Sequence, residues 1–129
     1  MTQEEKELLL KDLCGRLRSG LICSIYREDD EGFGWRDAEC KGYFQNHDSY
    51  EFYFEDVIAV DNIERLKPYL RPMSSMTWDE KFEHDAIINS DNVLENHLKD
   101  IDWLNAHHFD YRGLIPRGLA LEASEGLYK

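Results

Sequence analysis

Leu21-Ile22-Cys23-Ser24-Ile25-Tyr26 marks the point where the apolar period of the chain changes. Before it, Leu10, Leu13, Cys14 and Leu17 recur at i, i+3, i+4 and i+7, with Leu9 beside them, which predicts one stripe of a helix. Within it, Leu21, Cys23 and Ile25 alternate with Ile22, Ser24 and Tyr26, which predicts a strand. A second strand is expected over residues 35–44, with Ala38, Cys40 and Gly42 on one face and Glu39, Lys41 and Tyr43 on the other. In a third, Tyr50, Phe52 and Phe54 alternate with Glu51, Tyr53 and Glu55, and residues 57–60 offer a short fourth. The connections are short and charged or polar, which favours an antiparallel meander.

Helix signals flank these strands. Thr2 and Glu5 have the spacing of a capping box, in which a hydroxyl accepts from the third backbone N–H and the carboxylate reaches back. Gly15 or Gly20 can end that helix. Asp61 and Glu64 suggest another cap, but Pro68 comes too soon for a long helix and pushes Lys67 from helical angles. Residues 62–72 therefore read as one or two turns running into an extended Leu70-Arg71-Pro72. Thr77 and Glu80 open a helix to about Ile88, and residues 89–92 read as a break. Leu94, Leu98, Ile101 and Leu104 then form the stripe of a last helix reaching about His108. Gly113, Pro116 and Gly118 make the tail irregular, though its leucines can pack. The expectation is one α+β domain over residues 1–129. It has an N-terminal helix, a three- to four-stranded antiparallel meander that can curl like a small barrel, two C-terminal helices and a packed tail.

The charge is localised. The chain holds 27 acids against 15 bases, a formal net charge of −12. Residues 20–56 hold ten acids and three bases, and residues 77–100 hold seven and two. These two blocks carry the imbalance. It argues against a general nucleic-acid binder, which needs cations to displace counterions from phosphates. A 42% hydrophobic fraction excludes a disordered acidic tail. No run of 18 apolar residues predicts a membrane span, and the polar opening Met1-Thr2-Gln3-Glu4-Glu5-Lys6 is unlike a secretory signal. Cys14, Cys23 and Cys40 are too few and too scattered for a disulfide framework or zinc site and read as buried free thiols, which suits a reducing cytoplasm.

Three stretches resemble a known group of sequences. They are Glu5-Lys6-Glu7-Leu8-Leu9-Leu10-Lys11-Asp12-Leu13-Cys14, the run from Ile63 through Leu66-Lys67-Pro68-Tyr69-Leu70-Arg71-Pro72 to Thr77, and Asp102-Trp103-Leu104-Asn105-Ala106-His107-His108-Phe109-Asp110-Tyr111-Arg112-Gly113-Leu114-Ile115 with Gly118-Leu119-Ala120-Leu121-Glu122-Ala123. Together they cover roughly half of the chain, and they are similar to a family of short uncharacterised proteins of prophages and mobile elements in gut anaerobic bacteria. The resemblance implies a phage or mobile-element origin and a bacterial cytoplasm. It implies no reaction, ligand or catalytic residue. The two acidic blocks lie largely outside it.

Residues with chemical potential fall into a few groups. Glu28, Asp29, Asp30 and Glu31 form an acidic run that reads as a solvated hairpin tip, since its acids are consecutive and its flanks are strands rather than the helices of a calcium loop. Beside it, Phe33 and Trp35 either anchor a partner or fold back over the sheet. Asp79, Glu80 and Glu83 head the second acidic block. His107, His108, Asp110 and Arg112 are the densest cluster of metal- or anion-binding types, but adjacent helical histidines diverge by about 100° and need a further ligand such as His84 or His97. The alternative is a helix terminus at which the histidines meet the dipole and Asp110 pairs with Arg112. His84-Asp85 lacks a suitable upstream histidine, because His47 lies in a turn. Arg65, Lys67, Tyr69 and Arg71 are the one basic–aromatic patch, expected to pair with the acidic blocks. There is no phosphate loop, and Ser74-Ser75 has no nucleophile context.

No cofactor is implied. The expectation is a protein-interaction module with an acidic surface that keeps it soluble, docks on a basic partner or mimics a phosphate backbone. The alternatives are a small metal-dependent enzyme using the C-terminal histidines and a weak nucleic-acid-associated module.

Overall fold

Thr2 caps the first helix through the box its spacing predicts: its hydroxyl accepts from the Glu5 N–H at 3.1 Å, and the Glu5 carboxylate accepts from the Thr2 N–H at 2.9 Å. The structure, a computed structural model, describes residues 1–17, 19–29, 32–45, 49–54, 58–89 and 93–128. Helix α1 spans Gln3–Gly15. The strands are β1 (Ile22–Asp29), β2 (Gly32–Gln45), β3 (Tyr50–Phe54), β4 (Ile58–Val60), β5 (Leu66–Leu70) and β6 (Leu121–Glu122). Two further helices are α2 (Trp78–Ile88) and α3 (Val93–Ala106).

The class is α+β, as expected, but the sheet is larger and is not barrel-like. Among the described residues six strands lie in the order β4-β3-β2-β1-β5-β6, an open sheet with β4 and β6 at its edges. All pairings are antiparallel except β5–β6. The two strands beyond the expected meander come from places where the sequence suggested irregular chain. β5 passes through Pro68: the restriction Pro68 places on Lys67 suits extended chain, and pairing with β6 starts only at Tyr69, so that side asks no N–H of the proline. β6 is supplied by the tail.

The core lies on one sheet face, where Cys23, Ile25, Phe52, Phe54, Leu66 and Leu70 meet Leu9 and Leu13 of α1 and Leu114, Leu119 and Ala120 of the tail. A bulge at Cys40/Gly42 changes the second half of β2. Beyond it Tyr43 turns to the core and packs on Phe52 with ring centroids 4.9 Å apart, so the expected alternation of Gly42 and Tyr43 is reversed. Among the cysteines, Cys23 and Cys40 are buried as predicted and Cys14 is exposed.

The reason Cys14 is exposed is polar. The buried side of α1 is Leu9, Asp12, Leu13 and Arg16, not the purely apolar stripe. Asp12 and Arg16 are both fully buried and joined by two hydrogen bonds, Nε to Oδ2 at 2.9 Å and Nη2 to Oδ1 at 3.0 Å. Arg112 donates to Asp12 Oδ1 from the far end of the chain at 2.9 Å, and Arg16 Nη2 donates to the Phe109 carbonyl at 2.6 Å. Gly15 lets α3 come close, since a Cβ there would lie 3.2 Å from the Asn105 amide nitrogen. A second cluster, Trp103, Leu104 and Phe109 with Met76, Ile87 and Tyr111, joins α2 and α3 to this end of the sheet.

A buried carboxylate shared by two arginines is costly to disrupt from one side. Asp12→Ala is expected to lower unfolding free energy by about 3–5 kcal/mol in urea titrations, whereas Glu4→Ala on the exposed side of α1 stays within about 0.5 kcal/mol. A loss below about 1 kcal/mol for Asp12→Ala would show that the pair does not hold α1 in place.

Candidate interaction surfaces

The second face of the sheet carries a different set of side chains. Residues directly opposite across antiparallel strands share a face. The pairs Ile22↔Glu39, Ser24↔Asp37, Tyr26↔Trp35 and Glu28↔Phe33 therefore line the side away from Cys23 and Ile25. Ser24↔Lys67 places Lys67 there, and Tyr69 follows by alternation, its hydroxyl donating to Asp37 at 2.8 Å. Past the bulge, Phe44↔Glu51 and Gly42↔Tyr53 add Phe44, Glu51 and Tyr53. Six aromatic residues thus share this face with Glu28, Asp37, Glu39 and Glu51.

Its outer end is a two-stranded ribbon. β1 and β2 pair through Asp29↔Gly32, whereas β5 pairs only with Cys23–Ile25 and β3 only from Cys40 onward. Among the described residues neither neighbour reaches Tyr26–Asp29 or Gly32–Trp35. Phe33 is 79% exposed there and Trp35 50%, the latter edge-on to Tyr26 at 5.6 Å. Phe33 remains in solvent, whereas Trp35 packs partly on the sheet face against Tyr26. Glu28 is exposed. Asp29 ends β1, and Asp30, Glu31 and His47 lie outside the described residues.

The basic–aromatic patch is divided as well as paired. Arg65 stands over the Tyr26 ring at 5.5 Å. Arg71 is drawn away to Glu80 in a two-pronged ion pair at 2.6 and 2.7 Å and lies 4.2 Å from the Phe109 ring centroid. Arg71 holds the Glu80 carboxyl at about 2, well below its ordinary range, chiefly by these hydrogen bonds. Arg65, Lys67 and Lys41, which pairs with Glu39, are still fewer than the four carboxylates of the face, so a phosphate backbone finds no net cationic surface there.

The C-terminal cluster is structural in geometry. α3 ends at Ala106, so His107 and His108 lie just past it. The His107 ring stacks on Trp103 at 4.1 Å. Asp110 does not pair with Arg112: its two oxygens accept from the Leu114 and Ile115 N–H groups at 2.8 and 2.9 Å, while Arg112 goes to Asp12. His108 has a left-handed backbone, φ +64°, and stacks on Tyr128 at 3.6 Å. His84 bonds Asp100 across the two helices, and His97 is exposed. Among the described residues no three His, Cys, Asp or Glu side chains are placed to hold a metal ion. Burial pushes the Cys23 and Cys40 thiols up, and partial desolvation raises that of the exposed Cys14, which works against a thiolate nucleophile. A cleft of about 510 Å³ lies by Arg71, Thr77, Glu80, Glu122 and Tyr128, but its arginine is taken by Glu80 and the Tyr128 hydroxyl by the Tyr69 and Ile22 backbone.

Of the second acidic group, Glu80 faces Arg71, whereas Asp79 and Glu83 point to solvent. The sequence reading missed Trp78 and Phe82 on the same helix, 83% and 76% exposed; their i, i+4 spacing among acids was the available signal. It also placed Leu94 and Leu98 on a buried stripe. They are exposed, because α3 meets its neighbours along Asn96, Trp103, Leu104 and Asn105 instead. Among the described residues no helix is long and apolar enough to cross a membrane. No family model, curated protein or solved structure matches the chain.

Burial, followed by the nearby Arg16 charge, pushes the His108 imidazole down to about 4 from its ordinary 6.5. The unfolded chain therefore binds this proton at a higher pH than the folded one. Stability from keeping His108 neutral is complete above 6.5 and is lost as pH falls towards about 4. His108→Asn, which tolerates the left-handed backbone, is expected to remove a loss on the order of 1–2 kcal/mol between pH 7 and pH 5, read from urea midpoints. Equal losses in both proteins would contradict this.

Proposed function

We propose that this protein is a protein-interaction module, an accessory protein of a phage or mobile element, that docks a basic partner on the open face of its sheet. The observation that carries the reading is the exposure of Phe33 and Trp35, 79% and 50%, on one face of the ribbon beside Glu28. Aromatic side chains supply most of the energy of protein interfaces when a partner excludes water from them. The neighbouring carboxylates select a cationic partner and speed its approach. Docking fits this surface better than mimicry of a phosphate backbone, because Asp37, Glu39 and Glu51 are engaged by Tyr69, Lys41 and Tyr53 and the centre of the face is aromatic. The proposal invokes binding alone, with no bound metal or nucleophile.

Immobilised protein incubated with bacterial lysate is expected to retain basic proteins at low salt. The double variant Phe33→Ala/Trp35→Ala is expected to lose them, with affinity falling about 30-fold or more, corresponding to about 2 kcal/mol. Its thermal unfolding is expected to stay cooperative, with a midpoint lowered modestly by loss of the Trp35–Tyr26 edge contact. Retention of the same proteins by the variant would sink the proposal.

A further inference from the structure

Helix α2 is amphipathic with its faces reversed. Its inward side is polar: Glu80 grips Arg71, and His84 bonds Asp100 with its ring 5.2 Å from Trp103. Ile87 packs against the same cluster. Residues 80, 84 and 87 follow the i, i+4, i+7 line of one helix face, and at about 100° per residue Trp78 and Phe82 lie opposite them. No residue of α2 is buried, and these two aromatic side chains are its most exposed large apolar groups. Each offers about 150–250 Å² of surface that a partner can bury. The capping box, the arginine pair and the histidine bond keep the helix formed without using that surface.

The charges around the pair choose its occupant. Asp79, Glu83 and Asp85 are exposed and make no side-chain hydrogen bond or ion pair among the described residues, and Lys81 is the one cation on this stretch of helix. A second copy of the chain would bring like charges together across the contact. An anionic membrane or a nucleic acid would meet the same repulsion. A basic amphipathic helix answers both features, with its apolar stripe on Trp78 and Phe82 and its lysines or arginines against the three carboxylates. We infer that the outer face of α2 is a docking site for a basic amphipathic helix of a partner protein, separate from the sheet face.

The test uses the full chain and a synthetic leucine–lysine amphipathic helix of about four turns, with a leucine–glutamate peptide as control. Anisotropy of labelled peptide is expected to show saturable binding of the lysine peptide only. Trp78→Ala/Phe82→Ala is expected to weaken it about ten-fold or more, and Phe33→Ala/Trp35→Ala to leave it unchanged. Asp79→Lys/Glu83→Lys, a reversal at exposed positions that tests the site even if the aromatic variant misfolds, should weaken it similarly. Glu4→Lys/Glu7→Lys changes net charge by the same amount on α1 and should have little effect. Undiminished binding by the aromatic or the Asp79/Glu83 variant, or equal binding of the glutamate peptide, would overturn the inference. So would sedimentation showing a wild-type dimer that Trp78→Ala/Phe82→Ala dissolves, because the occupant would then be a second copy. Loss of binding only in Phe33→Ala/Trp35→Ala would leave the sheet face standing and remove α2.

Discussion

Asp12 accepts from two arginines while fully buried, and the rest of the architecture is arranged around that carboxylate. Its partner Arg16 comes from the C-terminal end of the same helix, and Arg112 arrives from 100 residues away. Arg16 also bonds the Phe109 carbonyl, so one guanidinium ties α1 to the segment that follows α3. Taking these charges out of water is unfavourable, and the bonds offset that cost in part, since Arg16 Nη1 is buried without a hydrogen-bond partner among the described residues. Such a network specifies one placement of α1 and of the 109–112 segment on the sheet. Arg71 extends it: its backbone pairs with His108 and Asp110, and its side chain reaches Glu80 on α2. Helix α1, the end of β5 and the segment after α3 meet here, at Asp12 and Arg16, at Arg71, and at Phe109, Asp110 and Arg112.

This arrangement uses up the polar groups that looked most chemical. Asp110 serves the Leu114 and Ile115 N–H groups, Arg112 serves Asp12, and the histidines pack on Trp103 and Tyr128. Outside the network, among the described residues, the β1–β2 ribbon and the outer face of α2 expose Phe33, Trp35, Trp78 and Phe82. Both combine exposed aromatic rings with carboxylates. Both belong to the two acidic blocks of the chain. Exposed aromatic rings on a fixed frame are the feature on which the proposed docking rests.

The parts of the fold legible in the sequence were those set by local chemistry. Thr2–Glu5 and Thr77–Glu80 announced their helices, and the alternation at 21–26 and 50–54 announced two strands. The misreadings came from contacts distant in sequence. Pro68 looked like a terminator until β1 and β6 gave its strand neighbours. The α1 stripe looked apolar because burial of Asp12 and Arg16 depends on Arg112 and Phe109. Asp110 looked paired with Arg112 because they are close in sequence. Phe33 and Trp35 read equally as partner anchors or as a cover over the sheet; the structure leaves Phe33 exposed and Trp35 half-exposed against Tyr26. The exposure of Trp78 and Phe82 was not legible because it depends on Arg71 and Asp100, distant in sequence, which bond Glu80 and His84 on the inner face of α2.

The central claim is that the Asp12 network makes α1 and the segment after α3 a single cooperative unit. Native-state hydrogen exchange followed amide by amide tests it directly. In the wild type, the Leu13 amide of α1 and the Leu114 and Ile115 amides held by Asp110 are expected to open with a common free energy, and in Asp12→Asn to lose protection together. Loss of protection in α1 alone, with Leu114 and Ile115 unchanged, would contradict the account.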